Sequence, residues 1–368
     1  MTKKFSSETN LPWWKKGVIY QIYPRSFNDT SGNGIGDLKG ISKKISYLSS
    51  LGVDAIWLSP IFTSPMKDMG YDVSNYTDID PLFGDIHDFE RLIEKAKENK
   101  IKVIIDQVLS HSSDAHPFFK LSKSNKINSK SDWYVWADPT PDGSPPLNWL
   151  SVFGGSAWEW DTGREQYYLH NFLKSQPDFN FHNLEVQKWL LSTVKFWLEK
   201  GVDGFRLDTA NYYFHDKKLR NNPAIKSRAS GKNPYYYQNL KYSINQKDNF
   251  AFLKKLRKLT DQYKEKTMIG EISNVELQAK YTANNDKLHM AYSFDLLRDE
   301  FSPKHIRNTV SKFFKETKDG WPTWSFSNHD VVRHLSRWNK TKKDRQKFAK
   351  LTCALLMSLK GTPCIYQG

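Results

Sequence analysis

The chain has 368 residues, more than one average domain of about 150 and fewer than three, and a single barrel with insertions accommodates all of them. Hydrophobic residues at 38%, charged residues at 26% and a mean hydropathy of −0.68 exclude an integral membrane protein, and 14% aromatics exclude a disordered chain. The net charge of +15 raises a nucleic-acid partner, but only 12 of the 55 basic residues are Arg, the residue that bidentate phosphate recognition favours, and none is expected.

Two cysteines, Cys353 and Cys364, cannot staple a chain of this size and stand in no metal-ligand spacing. Met1 to Asn10 is polar and holds no apolar run of signal-peptide length, and no stretch approaches 18 apolar residues. These features lead to the expectation of a reducing, cytoplasmic setting, no membrane partner, and a monomer or weak homo-oligomer.

Short β-branched and aromatic runs alternate with longer amphipathic ones, the pattern of a parallel α/β sheet or barrel. The predicted strands are Val18–Phe27, Ala55–Pro60, Ile101–Leu109, Gly204–Asp208, Met268–Glu271, Met290–Leu296, Thr323–Asp330 and Thr362–Gln367. Helical patterns cover Leu38–Leu51, His87–Asn99, Glu185–Lys200, Asn249–Tyr263, Pro303–Thr317 and Lys342–Leu359. Eight strands suggest a closed (β/α)8 barrel; such a barrel needs about 250 residues, so the remainder belongs to insertions. Residues 110–178, rich in Ser, Asp, Pro, Gly and Trp, read as an irregular subdomain between barrel parts 1–109 and 179–368, with a second insertion near 211–247.

A barrel builds its site at the C-terminal ends of its strands. Strand three ends in Asp106 with His111 following, strand four in Arg206 and Asp208, strand five in Glu271, and strand seven in His329 and Asp330. Taken singly, each acid reads as a helix N-cap or turn residue. Four in succession point into one bowl, where like charges raise one pKa and leave another group ionised, giving an acid and a nucleophile. That is the equipment for glycoside hydrolysis. Tyr71, Trp57 and Phe153 are candidates to pack on sugar faces, with core packing the simpler role for Trp57.

The segments GYDVSNY (70–76), DQVLSH (106–111), QPDFN (176–180), GFRLD (204–208), GE (270–271), SNHD (327–330) and GTPCIYQG (361–368) together resemble the α-amylase superfamily, specifically the α-glucosidase (maltase) branch of glycoside hydrolase family thirteen. The resemblance implies Asp208 as nucleophile, kept ionised by Arg206, Glu271 as general acid and base, and Asp330 as transition-state stabiliser. It further implies that His111 and His329 bind the same sugar, that Asp72 grips the non-reducing glucose with Tyr71 stacked on it, and that Asp106 braces the site. Thr209, directly after the nucleophile, matches relatives preferring α-1,4 links. The expected reaction is retaining, exo-acting hydrolysis of small α-glucosides such as maltose or sucrose, with glucosyl transfer as a further outcome. Phosphorylated-disaccharide (trehalose-6-phosphate-type) hydrolysis and a catalytically silent sugar-binding or scaffold protein are the alternatives.

Residues 29–37 carry oxygens at alternate positions around two glycines: Asp29, Ser31, Asn33, the Ile35 carbonyl and Asp37. They form a candidate structural Ca2+ or Mg2+ loop, and a glycine-rich turn without metal is the other reading; catalysis by paired carboxylates needs no cofactor. Against the family pattern the chain reads as truncated at the C-terminus, without the final helix and β-sandwich domain. The expectations are an apolar barrel face left uncovered and poor folding or weak activity.

Overall fold

Eight apolar runs form parallel strands: β1 (Ile19–Ile22), β2 (Ala55–Leu58), β3 (Lys102–Gln107), β4 (Gly204–Leu207), β5 (Thr267–Ile272), β6 (Met290–Ser293), β7 (Thr323–Trp324) and β8 (Thr362–Tyr366). The computed structural model describes residues 11–225, 233–341 and 343–368. Met1–Asn10, residues 226–232 of the expected second insertion, and Lys342 at the expected start of the last helix lie outside them.

The strands hydrogen-bond in the order β6-β5-β4-β3-β2-β1-β8-β7, and a parallel bridge between Ala291 and Pro322 joins the two ends into a closed barrel. Helices α1 (Leu38–Leu51), α2 (Ile86–Glu98), α3 (Leu184–Glu199), α4 (Asp248–Thr260), α5 (Val275–Thr282), α6 (Pro303–Glu316) and α7 (Arg345–Ser358) follow strands one to seven in turn. Side-chain caps fix where several begin: Asp37 accepts from Gly40 N, Asp85 and Asp88 form a capping box, and Asn183, Asn274 and Ser302 cap α3, α5 and α6. Gly52, at φ +84, ends α1 in the left-handed conformation that only glycine adopts without strain.

Apart from β8, the barrel strands are buried on both faces, which is why they read as near-continuous apolar runs rather than alternating ones. Successive side chains nevertheless take opposite sides. Ile19, Ala55, Trp57, Ile104, Ile269, Met290 and Cys364 form one cluster inside the barrel. Tyr20, Ile22, Ile56, Leu58, Val103, Ile105, Phe205 and Leu207 pack outward against Ile41, Ile45, Phe89, Leu190 and Trp197 of the helices.

All eight predicted strands exist, but all except β5 stop short of their expected C-terminal ends, β1 and β7 by the most. β1 stops at Ile22 because Pro24, which lacks an N–H, opens a 3-10 turn over Pro24–Ser26. β7 stops at Trp324, so SNHD lies on a loop beyond it. Helix α5 escapes the periodicity because it is only 8 residues long. Between β3 and α3, helix Pro117–Ser124 accompanies an antiparallel sheet with Gln166–Leu169 central between Trp136–Ala137 and Trp158–Asp161. Val135, Trp149, Ala157, Trp158 and Leu169 give that segment its own core.

Around β8, whose Pro363 and Ile365 are half-buried, Leu351 and Met357 of α7 and Tyr47 and Leu51 of α1 are exposed. Among the described residues, no helix is long and apolar enough to cross a membrane.

Candidate active site

Inward positions recur every second residue, so each apolar inner residue is followed two places later by a polar or amphipathic one nearer the C-terminal rim. Gln21 follows Ile19, Trp57 follows Ala55, Asp106 follows Ile104, Arg206 follows Gly204, Glu271 follows Ile269 and Tyr292 follows Met290. Register aligns them: Asp106 lies opposite Arg206, and Glu271 opposite Tyr292, in neighbouring strands. Gly204 sits where a Cβ would lie 2.4 Å from the Thr267 carbonyl oxygen, so only glycine allows β4 and β5 to approach here.

Arg206, 1% exposed, is the hub of the cluster. Its Nη1 lies 2.8 Å from Asp106 Oδ1 and 2.7 Å from Asp208 Oδ1, and its Nη2 lies 2.7 Å from Glu271 Oε1. Nη2 also donates to the Tyr292 hydroxyl at 2.7 Å, and that hydroxyl donates to Glu271 Oε1 at 3.0 Å. The second oxygen of Asp106 accepts from Trp57 Nε1 and the Tyr71 hydroxyl at 3.2 and 3.0 Å, so this fully buried acid is spent on bracing. The backbone N–H of Thr209 donates to Glu271 Oε2 at 2.9 Å. Thr209 holds φ at +40, an uncommon value for a β-branched residue, and its hydroxyl touches Ser110 Oγ and Asp208 Oδ2.

Burial pushes the Asp208 and Glu271 carboxyls up to about 7 and Asp106 to about 6, with Arg206 opposing in all three. Asp106 and Asp330 push Asp208 further up, and Asp208 and Asp330 do the same to Glu271. One guanidinium cannot compensate several buried carboxylates at once, so the cluster retains a proton near neutral pH. Such a group holds one carboxylic acid beside one carboxylate, which suits acid-assisted displacement at a polar carbon centre.

Loops complete the bowl. Asp330 follows β7, its Oδ2 held by Asn328 Nδ2 at 2.7 Å, and it is the most open of the acids, with its side chain 38% exposed. His329 lies nearly parallel to Tyr71 at 5.3 Å between ring centroids, with its Nε2 2.6 Å from the Tyr71 hydroxyl and its Nδ1 2.8 Å from Gln21 Nε2. The hydroxyl–imidazole contact between nearly parallel rings sets them edge to edge. His111 contacts Ser110 Oγ, the Tyr71 carbonyl and Gln176 Nε2. Burial lowers both His111 and His329 to about 4, so both are neutral at pH 7. Phe153 is exposed and packs against Phe172, which in turn meets His111 and Tyr212.

Asp72 departs from its expected role of gripping a sugar. It is 0% exposed, and its carboxylate accepts from Ser64 Oγ, Lys67 N and Asp68 N at 2.9–3.0 Å. Both oxygens are consumed in shaping the loop after β2. The acid of that loop directed toward the bowl is Asp68, which accepts from Gln176 Nε2 at 2.7 Å. Burial raises Asp68 to about 6, the Gln176 amide opposing and the Asp72 and Asp330 charges adding to the rise.

In residues 29–37, Asp29 accepts from the backbone of Ser31, Gly32 and Gly34, Asn33 Oδ1 accepts from Ile35 N, and Asp37 accepts from Thr30 and caps α1. The donors are all oxygen and include two carboxylates, a set whose chemistry fits a hard cation. Among the described residues, no group of three or more His, Cys, Asp or Glu is arranged to hold a metal ion.

The profile of the alpha-amylase catalytic domain matches residues 21–368. This chain belongs to the alpha-amylase family. A probable alpha-glucosidase of Rhizobium meliloti is 53% identical over 98% of this chain and 68% of its own length. An oligo-1,6-glucosidase of Heyndrickxia coagulans is 41% identical, with 97% and 66% covered. Among solved structures, the alpha-glucosyl transfer enzyme XgtA superposes with a TM-score of 0.95 at 53% identity, covering 98% of this chain and 68% of that one. The trehalose-6-phosphate hydrolase of Bacillus licheniformis follows with a TM-score of 0.87 at 37% identity, covering 97% and 65%. The chain thus spans about two thirds of the length of these relatives.

Within this alpha-amylase catalytic domain, the residues that sequence reading passed over are Gln21, Tyr292, Asp68 and Gln176. The first two were accessible through strand parity, standing two places after Ile19 and Met290. Asp68 and Gln176 lie on loops, where no periodicity marks which side chain turns inward. Replacing Asp72 by Ala strands buried N–H groups of its loop and is expected to cost about 2 kcal/mol or more in thermal unfolding, while Asp68→Ala changes stability by less than about 0.5 kcal/mol.

Proposed function

We propose that this chain is the catalytic part of a retaining, exo-acting α-glucosidase that removes α-1,4-linked glucose from the non-reducing end of maltose-like substrates and also transfers it to other sugars. The observation that carries the reading is the pairing of Asp208 and Glu271 on neighbouring nitrogens of one buried guanidinium. Retention requires two carboxyl groups about 5–5.5 Å apart, and a shared Arg206 favours such proximity.

In this mechanism Asp208 attacks the anomeric carbon through Oδ2, the oxygen Arg206 leaves free, and an ester bond forms as the glycosidic C–O bond breaks. Glu271 gives its proton to the departing oxygen, then takes one from the water or sugar hydroxyl that cleaves the ester. Asp330 and Asp68 accept hydrogen bonds from the hydroxyls of the bound glucose. The neutral rings of His111 and His329, whose nitrogens are held by Ser110, Tyr71, Gln176 and Gln21, line the site without adding charge. Tyr71, held at its hydroxyl edge by His329 and Asp106, presents a ring face to the sugar.

The names of the Rhizobium relative and of XgtA support glucosyl hydrolysis and transfer. Thr209 supports the α-1,4 preference through the family likeness, although the Heyndrickxia relative is called an oligo-1,6-glucosidase. Hydrolysis of a phosphorylated disaccharide calls for a basic pocket, which Lys or Arg of 211–247 could form; Arg220 is paired with Asp216 at 2.8 Å, and Lys226, Arg228 and Lys232 lie outside the described residues. A silent scaffold is disfavoured by the presence of all three acids. Asp29, Ser31, Asn33, the Ile35 carbonyl and Asp37 would hold Ca2+ or Mg2+ purely structurally, stiffening the loop between β1 and α1.

Incubation with maltose, followed by NMR, should release α-glucose first; Asp208→Asn should lower kcat/KM by on the order of 10³-fold or more, and activity near the parent's ends the proposal. Because Glu271 must hold its proton to act as the acid, kcat/KM should fall as pH rises through about 7, where burial has placed its titration. Removing divalent ions with a chelator should lower the unfolding temperature and leave kcat at low temperature unchanged; an unmoved transition argues for a metal-free turn.

A further inference from the structure

Glu271 is surrounded by unequal partners. Its Oε1 faces Arg206 Nη2 at 2.7 Å and the Tyr292 hydroxyl at 3.0 Å, and its Oε2 accepts, among the described residues, only the Thr209 N–H at 2.9 Å. Tyr292 comes from the adjoining strand, directly opposite Glu271 in register, and is 3% exposed. Its hydroxyl oxygen receives Arg206 Nη2 at 2.7 Å and Nε at 3.2 Å, so the phenolic proton has one direction left, toward Glu271. The ring is wedged among Trp57, at 5.9 Å, Phe294, at 6.4 Å, and the Arg206 guanidinium.

We propose that Tyr292 is a positioning residue for the acid–base group: its phenol, aligned by Arg206, donates to Oε1 of Glu271 and thereby confines the transferable proton to Oε2. Two donors crowd Oε1, and a proton placed there would meet both of them. Oε2 keeps a free lone pair and is tethered to Thr209, the residue adjoining the nucleophile. Proton delivery is thus aimed from the oxygen that shares an anchor with Asp208. The phenol itself transfers nothing. Burial raises the Tyr292 hydroxyl well above its ordinary value, so it stays protonated through the working range.

The charged and titratable groups facing Glu271 are Arg206 and Asp208 from β4 and its end, Asp106 from β3, Asp330 from the loop after β7, Tyr212 from the segment after β4, and Tyr292 itself. Only Tyr292 among them is a neutral donor to the carboxylate. Its hydrogen bond stabilises the ionised form, so its loss raises the Glu271 titration.

The inference rests on Glu271 being the acid–base group, and the test separates the two. The chain is labelled with 13C at glutamate side-chain carboxyls, the Glu271 resonance is assigned by its disappearance in Glu271→Gln, and its titration is followed in the parent and in Tyr292→Phe. The midpoint should rise by about half a pH unit or more in Tyr292→Phe. It should fall when 3,5-difluorotyrosine, a stronger donor of the same shape, occupies position 292. Midpoints unmoved in both variants overturn the proposal.

Kinetics supply the second arm. In Tyr292→Phe the alkaline limb should move upward, and kcat/KM should drop about tenfold for maltose but by less than about twofold for a nitrophenyl α-glucoside, whose leaving group needs no proton. Equal losses on both substrates with an unmoved limb indicate a packing role and also overturn it. A parent inactive on both would reject the glucosidase reading, while the carboxyl titration would still decide the role of Tyr292.

Discussion

The site depends on a single guanidinium removed from water. Arg206 meets Asp106, Asp208, Glu271 and Tyr292 within hydrogen-bonding distance, and the rings of Trp57, Tyr71 and Tyr292 surround it at 5.2–5.7 Å. Burying one ion is costly, and burying three acids around it more so, unless every donor and acceptor is answered. The planar fork of arginine supplies several donors in fixed directions, which a lysine ammonium could not match at these separate acceptors. Without that fork the acids would have no common reference point. With it, their positions and their competition for protons are set together.

Barrel geometry makes this concentration of charge affordable. The inner positions near the N-terminal ends are apolar and close-packed, with Ile19, Ala55, Ile104, Ile269 and Met290 forming a floor sealed by Trp14. Two residues further along each strand the same direction carries polar groups, so the transition from core to site takes place within one repeat of the pleat. The strands are rigid and mutually registered, and the central acids inherit that precision. Asp106 then acts in two capacities, as a partner of Arg206 and as the acceptor that ties Trp57 and Tyr71 into the wall.

The rim follows different physics. Asp68, Gln176, His111, His329 and Asp330 reside on loops and are placed by loop contacts: Gln176 spans Asp68 and His111, His329 bridges Gln21 of β1 and Tyr71, and Asn328 holds Asp330 within its own loop. Asp72 shows what such loops demand. An acid that resembles a ligand-binding residue in the linear chain is consumed in holding two backbone N–H groups and a hydroxyl so that Asp68, four residues earlier, can face inward. Loop acids therefore differ in role over very short distances.

The order of residues alone determined the barrel, its eight strands, and the convergence of Asp106, Arg206, Asp208, Glu271 and Asp330. All of these follow from periodicity and from the rule that strand ends open on one face, which are local properties summed along the chain. It also carried the family likeness, through seven short motifs. Tertiary structure alone decided that Arg206 is shared by three carboxylates, that Tyr292 stands between Arg206 and Glu271, and that Asp68 rather than Asp72 faces the bowl. Those outcomes depend on register between strands distant in sequence and on hydrogen bonds across loops. The chain encodes such distances only through the closed fold, because no residue's neighbours in sequence reveal which side chains it will meet in space.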